Sequence, residues 1–238
     1  MFIRRNYFTN LLYIIIAELL LIFLTACAQG NKQQPSGGAS LSGSASFSVS
    51  SASSKTEGPS DGFKRGAWEN GVYKSAYLSL SFSLPDGFKA QSDEEILAAF
   101  SFSDKFDASN LKDAYEQGQQ RTIYDMYALS PDGAYVVVML ENLSLTNTGA
   151  DMTEEEYASS MSNVLRQASA EFIPFDGYET EFCGTEWYVL PVASASNSFS
   201  RQYMLKRAGA YMAVVLIDCA VNFEAGISAI LDSFEGYR

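Results

Sequence analysis

Residues 178–219 read YETEFCGTEWYVLPVASASNSFSRQYMLKRAGAYMAVVLIDC and contain four runs that are rich in aromatic and β-branched side chains. Short breaks with glycine separate the runs at Cys183-Gly184 and Ala208-Gly209. Runs of this kind joined by short turns predict neighbouring antiparallel strands. The predicted unit is therefore a four-stranded meander over residues 178–182, 185–192, 201–207 and 211–219.

Three further strands are predicted on the N-terminal side of this meander. In residues 77–84 leucine or phenylalanine alternates with serine, which is the period-two pattern of a half-buried strand. Pro85-Asp86-Gly87 then supplies residues that favour a turn. Residues 124–129 and 134–143 flank a second Pro-Asp-Gly at 131–133, and this arrangement predicts an antiparallel hairpin.

Helix signals occur in four places. Ser92 with Glu95, and Thr153 with Glu156, have the spacing of capping boxes that begin helices reaching residues 102 and 168. Residues 223–234 carry apolar residues at helical spacing, and residues 111–120 predict a further helical turn or two. Strands grouped apart from helices indicate an α+β fold, with an antiparallel sheet packed against two to four helices. Residues 63–238 are expected to form one globular domain.

The N-terminal segment has the features of a secretion signal. Arg4 and Arg5 precede an apolar run over residues 11–23, and the small residue Ala26 precedes Cys27. The run Leu24-Thr25-Ala26-Cys27 resembles the lipobox of bacterial lipoproteins. This resemblance implies that residues 1–26 are a signal peptide, and that the thiol of Cys27 carries a diacylglycerol and anchors the chain in membrane lipid.

An uncleaved membrane span is the alternative for these residues. A spanning helix needs about 20 predominantly apolar residues. Glu18 interrupts the apolar run, and a carboxylate at mid-helix costs roughly 2.5–3.5 kcal/mol on insertion scales. The shorter signal peptide is therefore favoured. Either interpretation places the domain outside the cytoplasm, at the outer face of the bacterial cytoplasmic membrane.

Composition changes abruptly after the cysteine. Residues 28–62 are mostly serine, glycine, alanine and glutamine, and such a stretch buries too little apolar surface to fold. Residues 27–62 are therefore predicted to be the lipidated cysteine and a disordered tether with a reach of about 30 Å. A glycosylated, serine-rich stalk is the alternative. The whole chain carries a net charge of −12, which argues against nucleic acid as a partner.

The opening of the domain is similar to that of PsbP-like domains. The resemblance rests on Asn70-Gly71-Val72-Tyr73, on Tyr77, on residues 80–88, on Gly184 with Trp187, and on Gln202-Tyr203. Phe88 stands where tryptophan is common in that group, which includes the extrinsic P subunit of photosystem II and many small bacterial lipoproteins. The resemblance implies an antiparallel sheet packed with helices and an accessory or binding role. It supplies no catalytic residues.

Catalysis is not expected from the residues themselves. The chain has no histidine, which removes the usual base of nucleophile activation and the commonest metal ligand. Cys183 and Cys219 lie outside Cys-x-x-Cys and zinc spacings, and there is no glycine-rich phosphate loop. The predicted meander places these two cysteines at opposite ends of the sheet, about 25 Å apart, so two free thiols are expected.

Acidic clusters do not indicate a metal site. Residues 93–95 and 154–156 fall in the first turns of predicted helices, where negative charge complements the helix dipole. Asp104, Asp107 and Asn110 do not have the spacing of an EF-hand loop. We therefore expect neither a metal nor a cofactor.

Two functions remain open from the sequence. The first is a non-catalytic binding or accessory module that holds a protein, a peptide or an envelope component, with Trp68, Trp187 and Tyr203 as candidate contacts. The second is a carboxylate-dependent enzyme that acts on cell-envelope material. A facing pair of acids in a deep pocket would favour the enzyme, and a shallow apolar surface would favour binding. A purely structural module is a third possibility.

Overall fold

A computed structural model of the chain describes residues 63–100, 121–145, 149, 151–220 and 224–237. These residues form an α+β fold, as predicted. Its elements are β1 (Ala67–Glu69), β2 (Val72–Ser75), β3 (Leu80–Ser83), β4 (Lys89–Ala90), α1 (Asp93–Phe100), β5 (Thr122–Leu129), β6 (Tyr135–Asn142), a 3-10 turn (Leu143–Leu145), α2 (Glu154–Ala168), β7 (Phe172–Pro174), β8 (Tyr178–Phe182), β9 (Thr185–Ser194), β10 (Phe199–Ala208), β11 (Tyr211–Ala220), α3 (Glu224–Leu231) and β12 (Phe234–Gly236).

Within the described residues, the larger sheet has eight antiparallel strands. Its order is β4-β5-β6-β11-β10-β9-β7, and β8 also pairs with β9. The predicted meander is therefore confirmed as β8 to β11, and the predicted hairpin as β5 and β6. Strand β6 is buried along its whole length, and β11 is buried from Tyr211 to Cys219. Their apolar runs do not alternate because both faces of the sheet are covered.

A different layer covers each face of the large sheet. On the first face, the four-stranded sheet β1-β2-β3-β12 and α3 enclose a core that includes Phe82, Trp187 and Ile217. On the second face, α1 and α2 enclose a core that includes Met161 and Val214. Alternate residues of one strand therefore belong to different cores.

Two tight turns owe their shape to residues that tolerate positive φ. Asn70 and Gly71, which join β1 to β2, have φ values of 53° and 80°. Cys183 and Gly184, which join β8 to β9, have φ values of 53° and 72°. Two consecutive residues with positive φ form the type I′ turn that matches the twist of a hairpin.

Both predicted capping boxes are present. Thr153 Oγ1 accepts the Glu156 N–H (3.2 Å), and the Glu156 carboxylate accepts the Thr153 N–H (2.9 Å). In the same way, Ser92 Oγ accepts the Glu95 N–H (3.3 Å), and the Glu95 carboxylate accepts the Ser92 N–H (2.8 Å). These bonds satisfy amide groups that a helix leaves without intrahelical partners at its start.

The structure corrects the bounds of two predicted elements. The strand predicted over 77–84 begins only at Leu80, because the chain turns at 76–79 and Ser79 has a φ of 55°. The helix predicted over 223–234 ends at Leu231. Phe234 instead begins β12, where its ring lies 4.5 Å from that of Phe82 in the paired strand. The helical spacing of apolar residues over 223–234 continued past the end of the helix because α3 and β12 face the same core.

Some elements carried too little pattern to be predicted. Strands β1, β2, β4, β7 and β12 have two to four residues each, which is too short for an alternation to be visible. The turn or two predicted over 111–120 lies outside the described residues, as do the predicted signal peptide, Cys27 and the tether up to residue 62.

Candidate binding surface

One long edge of the large sheet is built from two short strands in succession. Strand β7 pairs with the C-terminal part of β9, and β8 pairs with its N-terminal part. The register shifts by one residue between them: Ile173 pairs with Ala193, whereas Tyr178 pairs with Val189. Residues 175–177 are the irregular link between the two strands.

Three large apolar side chains are exposed along this edge. Ile173, Phe175 and Tyr178 retain 43%, 53% and 49% of their accessible surface, and we call them the apolar stripe. Ile173 and Tyr178 point to the first face of the sheet, because Val189, the partner of Tyr178, lies in the first-face core and Ala193 follows it by four residues. Phe175 lies between them, and its N–H donates to Pro191 O (3.0 Å).

The stripe begins where the cover of the first face ends. At the far end of β8, Phe182 packs against Trp187 and Phe234, with ring centroids 5.4 and 5.2 Å apart. Phe234 belongs to the small sheet, so that sheet covers Phe182. Tyr178, four residues earlier, is half exposed. Several large apolar side chains exposed along one edge are a feature of interaction surfaces.

The opposite face of the same edge is acidic. Glu179 and Glu181 are exposed and pair with Tyr188 and Glu186, so their side chains point to the second face. The pKa of the Tyr188 hydroxyl is raised, first by partial burial and then by the carboxylates of Glu155, Glu179 and Asp176.

We call Glu155, Asp176, Glu179 and Glu181 the acidic face. The edge is thus apolar on one side and negatively charged on the other.

The part of the edge that β7 forms is closed to a further strand. Pro174 has no N–H, and its carbonyl accepts a bond from Arg166 Nη2 (2.9 Å). The Phe172 N–H donates to Ser169 O (3.2 Å). Proline and occupied backbone groups are recognised devices that stop a sheet edge from pairing with other chains.

The three predicted contact residues occupy different environments. Trp68 is half-buried. Its ring centroid lies 5.7 Å from that of Tyr73 and 6.4 Å from that of Phe82. Trp187 is 1% exposed, and its Nε1 donates to Thr185 Oγ1 (3.0 Å). Tyr203 is fully buried. We therefore take Trp187 and Tyr203 to be core residues.

Sequence reasoning missed the apolar stripe. Residues 172–175 read Phe-Ile-Pro-Phe, which has neither strand nor helix period, and the signal that remained was an apolar run interrupted by proline.

Every buried carboxylate in the described residues has an arginine and a tyrosine as neighbours. Asp125 accepts bonds from Arg65 Nε (3.2 Å) and from the Tyr73 hydroxyl. Its pKa is nevertheless raised, because burial outweighs these bonds.

The same arrangement recurs at two other positions. Glu141 accepts a bond from Tyr157 (2.5 Å) and pairs with Arg121 (3.6 Å). Asp218 accepts a bond from Arg201 Nε (2.5 Å). The Tyr135 hydroxyl, which accepts a bond from Arg201 Nη2 (3.3 Å), is the tyrosine neighbour of this group.

Burial raises the pKa of both carboxyls as well. The buried acids are thus matched with cations and phenols, which is not the facing pair of acids that would favour a carboxylate-dependent enzyme.

The described part of the chain brings together no group of three histidine, cysteine, aspartate or glutamate side chains that could hold a metal ion. The acidic residues 93–95 and 154–156 lie in the first turns of α1 and α2. Asp104, Asp107 and Asn110 lie outside the described residues.

Cys183 and Cys219 are free thiols, as expected. Cys183 is in the turn before β9, and Cys219 pairs with Ser200 at the other end of the sheet. Burial raises the pKa of Cys183 to about 11 and that of Cys219 to about 12.

In the parts of the chain that are described, no helix is long and apolar enough to cross a membrane.

No family model matches the chain, and no curated protein matches it. Among solved structures, the chain is similar to cyanobacterial PsbP (CyanoP) from Synechocystis sp. PCC 6803. The two share 12% sequence identity, with a TM-score of 0.42, over 70% of this chain and 91% of that chain. The function therefore has to be argued from the surface of this chain.

Proposed function

We propose that this protein is a lipid-anchored, extracytoplasmic module that binds a protein or peptide partner without catalysis. The observation that carries the proposal is the apolar stripe, in which Ile173, Phe175 and Tyr178 are all exposed along one sheet edge. Burying such side chains against a partner is favourable by about 25 cal/mol per Å² of apolar surface removed from water.

Binding is favoured over carboxylate catalysis by the way the acids are placed. Asp125, Glu141 and Asp218 are held in the protein interior by arginine and tyrosine. The exposed acids near the stripe line a sheet edge, where water is abundant. The absence of histidine from the sequence also removes the side chain that most often transfers protons near neutral pH.

Photo-cross-linking of the full chain in its own membrane tests the binding surface. A photoreactive phenylalanine placed at position 175 should give a discrete adduct with a partner. The same residue at position 145 is the control, because Leu145 and Phe175 are both 53% exposed. Absence of an adduct at 175, or an identical set of adducts at 145, would contradict the proposal.

Replacement of the cysteine tests the anchor separately. The Cys27→Ser variant should lose the diacylglycerol and be released or mislocalised without unfolding, because only the thiol of Cys27 is expected to carry the lipid. Metabolic labelling with a fatty acid and fractionation of cells report the result. A variant that still took up the lipid label would contradict the assignment of Cys27.

A further inference from the structure

The hydrogen bonds of β9 show which backbone groups of β8 face away from the sheet. Ala195 N–H donates to Glu171 O (2.8 Å), and Phe175 N–H donates to Pro191 O (3.0 Å). Odd-numbered residues of β9 therefore direct their backbone groups toward β7 and β8. The even-numbered residues face the other way, because successive residues of a strand direct their N–H and C=O groups to opposite sides.

The direction of the backbone groups in β9 determines their direction in β8. Tyr178, Thr180 and Phe182 pair with odd-numbered residues of β9, so their backbone groups point into the sheet. The N–H and C=O groups of Glu179 and Glu181 consequently point outward. In an antiparallel sheet such groups can pair with an additional strand.

The two faces of this edge specify the side chains of such a strand. On the first face, an incoming side chain would lie beside Tyr178 and the rest of the apolar stripe. On the second face, it would lie beside Glu179 and Glu181. Because side chains alternate along a strand, a segment with alternating apolar and basic residues complements both faces at once.

A second copy of this chain complements the edge poorly. Antiparallel pairing of β8 with itself would bring Glu179 and Glu181 of one copy close to those of the other. Like charges directly opposite each other destabilise strand pairing. The net charge of −12 adds repulsion between copies, whereas it attracts a basic segment.

We propose that β8 binds its partner by strand addition, and that the bound segment is an extended peptide with alternating apolar and basic residues. This inference rests on the proposed binding function and specifies its ligand. The segment is short, because β8 has five residues and spans about 16 Å, and because Pro174 closes the rest of the edge.

A blocked octapeptide of four Val-Lys repeats is the probe. Added to the full-length protein in detergent, it should slow hydrogen exchange at the amides of Glu179 and Glu181. The Thr180 amide already bonds β9 and should not change. A peptide of four Val-Glu repeats should not bind. Binding of Val-Lys without protection of Glu179 and Glu181 would overturn strand addition.

Two substitutions separate the backbone from the charge. Glu181→Pro removes an outward N–H, at a position where an edge strand tolerates proline, and should weaken binding at least about tenfold. Glu181→Gln keeps the backbone and should weaken binding by a smaller, salt-dependent factor. Glu94→Gln, which removes an exposed charge from α1, should leave the affinity unchanged. Equal affinities for the Glu181→Pro variant and the wild-type protein would overturn the inference.

Other occupants have distinct signatures. Dimerisation that Glu181→Pro abolishes would assign the edge to a second copy. Protection of Glu179 and Glu181 in the dilute monomer without peptide would assign it to a segment of the same chain. Either result overturns the inference. A cross-link from position 175 that persists in Glu181→Pro would overturn strand addition and leave the proposed function standing.

Discussion

Asp125 shows how one buried residue fastens the start of the domain to the sheet. Its carboxylate accepts bonds from the Gly66 N–H, from Arg65 and from Tyr73. Arg65 also pairs with Asp93 at 3.0 Å. Gly66 itself has no room for a side chain, because a Cβ there would lie 2.3 Å from the Tyr73 ring.

Removal of these acceptor oxygens should destabilise the fold. Asp125→Ala removes the atoms that accept the bonds from the Gly66 N–H, from Arg65 Nε and from the Tyr73 hydroxyl, and we expect a loss of about 3 kcal/mol in the free energy of unfolding. Urea denaturation measures it. Asp132→Ala, in the exposed turn between β5 and β6, is the control and should change stability by less than about 0.5 kcal/mol. Similar effects for the two variants would contradict the proposed role of Asp125.

The thiol of Cys183 should react slowly in the folded protein. Its pKa is raised from 9.0 to about 11 by burial, and the reactive species is the thiolate. Alkylation by iodoacetamide should therefore accelerate about tenfold per pH unit between pH 8 and 10. Cys219 should stay unmodified until the domain unfolds, since it is fully buried.

Peptide mapping by mass spectrometry distinguishes these sites from each other. In urea both thiols should react at the rates of ordinary cysteines. Rapid modification of Cys183 at pH 7 in the folded protein would disagree with this prediction.

At the scale of elements, local sequence signals and long-range packing contribute differently. The capping box of α2 lies within four residues, so it was visible in the sequence. The side chains that α2 buries, such as Met161 and Leu165, also followed from their helical spacing. In contrast, β12 exists because Phe234 meets Phe82, a residue more than 150 positions away in the chain.

Removal of the α2 cap should weaken the helix measurably. Thr153→Ala removes the acceptor of the Glu156 N–H, and such a change costs about 1 kcal/mol. Urea denaturation again measures the loss. Ser159→Ala, on the exposed side of the same helix, should cost nothing or slightly stabilise the protein, because alanine is the better helix former. An equal loss in both variants would contradict the importance of the cap.

At the scale of the whole molecule, the buried carboxyls link stability to pH. Burial raises the pKa of Glu141 above 4.5, and the raised value means that the folded state binds its proton more tightly than the unfolded state. This contribution to stability is fully present below pH 4.5 and is lost as pH rises through the raised value in the folded protein.

Glu141→Gln should therefore remove one part of the decline in stability on the alkaline side of pH 4.5. Glutamine keeps an oxygen that can accept the Tyr157 hydroxyl and cannot ionise. The free energy of unfolding, measured from pH 4.5 to 7, should fall less steeply in this variant than in the wild type. Identical slopes would mean that Glu141 has the same pKa in the folded and unfolded states.

The sequence by itself determined the α+β class, the central strands and both capping boxes. These features depend on residues close together in the chain, through alternation, helical spacing and turn chemistry. The lipid anchor at Cys27 is likewise a local motif and remains a prediction. The limits of the described elements were less predictable, because Leu78 and Phe234 face the core from outside the elements to which their patterns assigned them.

Only the tertiary structure decided which aromatic residues are accessible. Trp187 and Tyr203 are buried because distant strands and helices cover them, whereas Phe175 is exposed because the cover ends before it. Exposure depends on contacts between residues far apart in sequence, which no short pattern records. For the same reason, the apolar stripe and the outward backbone of β8 became visible only once β7, β8 and β9 were seen together.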